Sequence, residues 1–84
     1  MSVTIFVPDI PEFLPLIRAA ETVATCTVQR PRNGYWRVES EREISFSRRP
    51  LGLSPAIWNS ALSGGFRGRI AEYGRDFMRI VSED

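Results

Sequence analysis

Arg48 and Arg49 stand immediately before Pro50 and five residues ahead of Ser54, and together these make the clearest candidate for binding chemistry in the chain. Ser54-Pro55 carries a hydroxyl able to cap a helix start, followed by a residue that misses no N–H at the first helical position. Guanidinium groups beside such a start can hold a phosphate or a carboxylate by forked hydrogen bonds. Neighbouring residues at a strand end point to opposite sides, so the pair is poorly placed to meet one ligand. The glycine pattern in Leu51-Gly52-Leu53-Ser54-Pro55 is not a phosphate-loop motif either.

Catalytic constellations are sparse. The chain contains no His, which removes the commonest general base and triad member. The single cysteine, Cys26, falls mid-strand beside Ala24 and Val28, and a buried structural thiol accounts for it better than a nucleophile does. Glu39, Glu41 and Glu43 alternate as a hard-cation site would require, but Arg37, Arg42 and Arg48 interleave with them. Solvated ion pairs are the better account. No catalytic residue, metal site or cofactor is expected, and an enzyme is the less favoured reading.

All eleven basic residues are Arg, and the formal net charge is +1. The charge is uneven. Residues 1–29 carry Arg18 against three acids, whereas residues 30–79 carry ten Arg against five acids. Arg30, Arg32, Arg37, Arg48, Arg49, Arg67 and Arg69 are interleaved with Tyr35, Trp36, Phe46 and Phe66, the composition of a basic and aromatic stacking platform. Trp36 and Phe46 are also needed for a core, and five acids lie among the arginines. Nucleic-acid binding therefore ranks third, behind protein interaction and anion binding.

The elements that must position these residues read as β-α-β-β-β-α-β-β, an α+β fold with two helices packed on one face of a mostly antiparallel sheet. Ser2–Val7 is a strand with both faces covered. Asp9 and Glu12 have the spacing of a capping box, and Pro15 places the regular helix after one irregular turn, ending near Glu21 or Thr22. Thr22–Arg30, Tyr35–Ser40 and Glu43–Arg48 follow as a three-stranded meander, turning at Asn33-Gly34, with Trp36 in the core. Ser54–Ser63 is the second helix, stopped by Gly64-Gly65. A last hairpin follows, with a loop from Gly74 to Asp76 that sets Ile70 opposite Ile80 and Tyr73 opposite Phe77.

Residues 51–66 contain no charge at all. A helix of that kind is buried or covered by another chain, with Ile57, Trp58, Ala61 and Leu62 forming its apolar stripe. Interfaces favour Trp, so Trp58, Asn59, Ser60 and Ser63 are the candidate contact residues. A chain of 84 residues forms one domain and is marginally stable without disulfides or metal. The leading expectation is thus a non-catalytic interaction or accessory protein that forms a homodimer and contacts a further protein partner. No apolar run is long enough to span a bilayer. The first residues lack the basic region and cleavage site of a signal peptide, and a free cysteine suits a reducing compartment, so the expected location is cytoplasmic.

Overall fold

A computed structural model describes residues 2–83. Strand β1 (Val3–Pro8) is followed by a single 3₁₀ turn over Pro11–Phe13 and helix α1 (Leu14–Glu21). Pro15 sits in the first turn of α1, where its missing N–H costs nothing. The capping box does not form: Ile10 takes the cap position of the 3₁₀ turn without a side-chain bond.

Strand β2 starts later than the period-two pattern implies, spanning Cys26–Arg32. The physical reason lies in the end of α1. Thr22 directs its hydroxyl to the Ala19 carbonyl at 2.7 Å, and the Val23 and Cys26 amides bond to Ala20 and Val23. The chain therefore leaves the helix through successive turns, with Ala24 exposed outside the strand. Strand β3 (Tyr35–Ser40) returns through Asn33-Gly34, both at positive φ, which matches the twist of a tight hairpin. Two residues, Arg30 and Pro31, oppose Trp36 alone, forming a β-bulge.

The meander is not formed. β3 lies between β2 and β1, and its pairing with β1 runs from Val3↔Ser40 to Pro8↔Tyr35. That register puts Ile5 opposite Val38 and Val7 opposite Trp36, so the apolar residues of both strands share the inner face. Strand β4 (Glu43–Ser47) leaves for a second sheet, where Ile44 faces Ile80 and Phe46 faces Met78 of β7 (Phe77–Val81). Arg48 then opens a short helix, α2 (Arg48–Leu51), instead of extending β4, and Gly52 ends it in the left-handed region.

Helix α3 covers Pro55–Asn59, with the Ser54 hydroxyl accepting the Ile57 N–H at 3.2 Å. It is shorter than its apolar stripe suggests. Residues 60–65 continue as hydrogen-bonded turns rather than regular helix. Strand β5 (Phe66–Arg67) pairs with β1, and after Gly68 strand β6 (Arg69–Tyr73) pairs with β7. Gly68 has φ +133°, and a Cβ there would lie 2.7 Å from the Val81 carbonyl oxygen, so only glycine lets the chain pass between the sheets.

The result is two antiparallel sheets, ordered β2-β3-β1-β5 and β4-β7-β6, with three short helices in an α+β arrangement. Ile70 does oppose Ile80. A bulge at Ala71 then shifts Tyr73 opposite Met78, not Phe77, and the Gly74 N–H bonds to the Phe77 carbonyl at 2.8 Å. One apolar cluster joins both sheets to the helices, including Phe13, Leu16 and Ile17 of the first helical segment and Trp58 of α3. Trp58, not Trp36, is the fully buried tryptophan; Trp36 is half-buried against the edge of the cluster. Among the described residues, no helix is long and apolar enough to cross a membrane.

Candidate functional site

Arg48 is committed within the fold. Its Nη2 and Nε donate to Asp76 Oδ1 at 2.8 and 3.2 Å, Nε also reaches the Arg75 carbonyl, and Nη1 donates to the Leu53 carbonyl at 2.9 Å. Asp76 thus occupies the position an anionic ligand would need. The hydrogen bond from Arg48 leads the causes that hold its carboxyl below the usual carboxylate range. Arg49 lies 3.6 Å from the same oxygen with its side chain 76% exposed, and the Ser54 hydroxyl serves its own helix. Of the three, Arg49 alone presents its charge to solvent, and α3, at five residues, is too short to add a helix-dipole site.

The residues singled out on α3 divide between core and surface. Trp58 has no exposed surface; its indole N–H donates to the Gly74 carbonyl at 2.8 Å, and its own carbonyl accepts the Tyr73 hydroxyl at 2.8 Å. It is therefore sealed from any partner. Ser60 is half-buried and bonds back to the Ile57 carbonyl, whereas Asn59 and Ser63 are exposed.

Cys26 is half-buried, and burial pushes its thiol above the ordinary value, opposed by hydrogen bonds with Ser40 and Thr25. A thiol held in that form is a poor nucleophile at neutral pH. Glu39 takes a hydrogen bond from Ser2 and lies 3.7 Å from Arg37, while Glu43 pairs with Arg79 across β4 and β7 at 3.3 Å. A 560 Å³ concavity near Cys26 has Glu39 and Glu41 as its only charged lining residues and contains no aromatic ring. It offers hydroxyls from Ser2, Thr25, Thr27 and Ser40, of which Ser2 donates to the Glu39 carboxylate at 3.1 Å.

A further concavity, of 320 Å³, lies on the outer face of the four-stranded sheet. Alternation places Thr4, Phe6 and Pro8 of β1 on that face, opposite Glu39, Arg37 and Tyr35 of β3. Register adds Arg32 of β2 beside Tyr35, and the bulge brings Arg30 to the same rim. The backbone of residue 64 supports the tyrosine. A Cβ on Gly64 would lie 2.6 Å from the Tyr35 ring and 2.5 Å from the Phe6 carbonyl oxygen. Tyr35 stays 38% exposed, Phe6 is half-buried, and Arg30 and Arg32 are exposed. Arg37 Nε is buried without a hydrogen-bond partner. Three guanidinium groups and two aromatic rings therefore line one hollow in which no carboxylate takes part.

The sequence matches no known protein family and no curated protein. Tyr35, Arg30, Arg32 and Arg37 belong to the basic and aromatic set visible in the sequence. Trp36 and Phe46 of that set turn inward, and Phe66 lies on the short strand β5. Phe6 was not in that set. Its alternation with Ile5 and Val7 marks it as outward, but only the exposure of Arg32 and Tyr35 shows that this end of the face is left open, since Thr4 on the same face is buried.

Proposed function

We propose that the chain is a non-catalytic binding module whose working surface is the outer face of the four-stranded sheet, receiving an anionic partner. The observation that carries this reading is the hollow in which Arg30, Arg32 and Arg37 surround Phe6 and Tyr35 without an acid among its lining residues. A net charge of +1 supplies little attraction over the whole surface, so retention on a polyanion would have to come from such a local cluster. The test is heparin chromatography at about 150 mM salt, where the Debye length is about 8 Å and only close clusters of charge still act. Wild type is retained, and a variant with Arg30, Arg32 and Arg37 changed to Gln elutes with the flow-through. Wild-type elution with the flow-through overturns the proposal.

A second reading is self-association through α3. Its exposed residues Pro55, Ala56 and Asn59 carry no charge, unlike an ordinary solvated helix face. Sedimentation equilibrium of wild type and Asn59→Arg tests it. The expected result is a dimer that the variant dissociates; a wild-type monomer at all concentrations removes this reading.

A further inference from the structure

We infer that the anionic partner of this face is single-stranded nucleic acid, read by base stacking on Tyr35 and Phe6 with the phosphates led along Arg30, Arg32 and Arg37. This rests on the proposed role of the outer sheet face. Charge alone would admit any polyanion; the rings narrow the choice. Tyr35 is opposite Pro8, and Phe6 is opposite Arg37, so the two rings stand on adjacent strands at diagonal positions of one face. Such diagonal neighbours lie about 7–8 Å apart at the backbone, close enough for successive bases of one extended strand to reach both. Every base has a π-face, so stacking of this kind needs no sequence-specific hydrogen bonds.

The arginines flank the rings on one side. Arg32 shares Tyr35's face by register, Arg30 is brought to the rim by the bulge, and Arg37 stands opposite Phe6. The Arg37 side chain keeps 41% of its surface exposed, and its Nη2 contact with Glu39 is a long 3.7 Å. Glu39, two residues further along β3, sets the acidic limit of the path. Arg67 pairs with Thr4 across β1 and β5, level with Glu39, and so lies outside that path. A duplex conceals the faces of its bases and would leave both rings idle. A sulfated or acidic chain without rings would use the arginines alone.

Fluorescence anisotropy of an end-labelled oligothymidylate of about 12 nucleotides provides the test, across a salt series. Three arginine–phosphate contacts predict a log–log salt slope of about −2, since each contributes about −0.7 on a single strand. Tyr35→Leu weakens binding about tenfold, whereas Tyr35→Phe, which keeps the ring, stays within about twofold. Arg32→Gln, an exposed change that does not depend on packing over Gly64, reduces the slope by about 0.7. Thermal midpoints of all variants confirm that the fold persists. No binding at about 20 mM salt overturns the inference, as does equal affinity for a blunt duplex. Thymidine monophosphate competing as well per nucleotide as the oligomer also overturns it, because the site would then take free nucleotides. If heparin binds through the arginines while Tyr35→Leu leaves oligonucleotide affinity unchanged, the nucleic-acid assignment falls and the anionic face stands. If neither polymer binds, both fall.

Discussion

Trp58→Phe is the most informative single change in the core. The indole is fully buried, donates to the Gly74 carbonyl at 2.8 Å and meets the Tyr73 ring edge-on at a centroid distance of 6.1 Å. Phenylalanine keeps the ring position but removes three ring atoms and the N–H. A void of about 35 Å³ at about 24 cal/mol per Å³ costs ~1 kcal/mol if the core does not close over it. Losing the partner of the Gly74 carbonyl adds about 1–2 kcal/mol, kept toward the low end because Gly74 lies on an exposed hairpin that water can reach. The expected loss is about 2–3 kcal/mol, or roughly 10–20 °C in thermal midpoint for a domain of this size. Urea unfolding followed by far-ultraviolet circular dichroism measures it, with an unchanged dependence on denaturant expected. The oligomeric state should not respond, because no part of Trp58 reaches the surface. A loss below about 1 kcal/mol would refute the reasoning, since neither the hydrogen bond nor the packing would then matter as described.

Three further outcomes follow from the side-chain geometry. Asp76 has its carboxyl held low in the folded state, so its contribution is present above the unfolded pKa and is lost as pH falls through the folded one. Asp76→Asn should therefore flatten the acid limb of a midpoint-against-pH curve; parallel limbs for variant and wild type would deny Asp76 that role. Gly68→Ala should destabilise by about 1–3 kcal/mol or more, because it combines positive φ with a clash against backbone, and a variant as stable as wild type would show that the crossing can relax. Cys26 should react with a thiol reagent more slowly than a free cysteine at the same pH, its thiol being shifted upward by burial, and a matching rate would remove that account.

Much of the local chemistry was legible where it concerned neighbours in the chain, though the Asp9–Glu12 capping box and the last turn of the Ser54–Ser63 helix did not form. The Asn33-Gly34 turn, the Ser54-Pro55 helix start, the placement of Pro15 in a first turn and the Ile70–Ile80 pairing all follow from residue type and short-range spacing. What escaped depends on partners far along the chain. β3 pairs with β1, and β4 with β7, and neither pairing leaves a turn signature between the strands. The two tryptophans could not be ranked, because Trp58 is selected for the interior by a carbonyl and a phenol on the later hairpin. The same limit applied to the candidate site. Arg48 looks available until Asp76, 28 residues on, closes over it. Arg30 joins the sheet hollow only through a bulge that the flanking residues do not announce.

The position of β7 bears on how the chain can be made. It lies between β4 and β6, and β4 has no other strand partner. β4 must therefore wait for a strand that begins thirty residues after its own end, from Ser47 to Phe77. During synthesis, which releases residues in order, Ile44 and Phe46 leave the ribosome before Ile80 and Met78 are free to cover them. The four-stranded sheet is under no such delay, since its last member, β5, is complete at Arg67. A released chain ending just past that point would hold all four strands of that sheet beside an unpaired, apolar β4. A chain truncated at Arg67 should thus be a species that chaperones recognise, and one that is rescued by supplying the β6–β7 hairpin as a separate peptide.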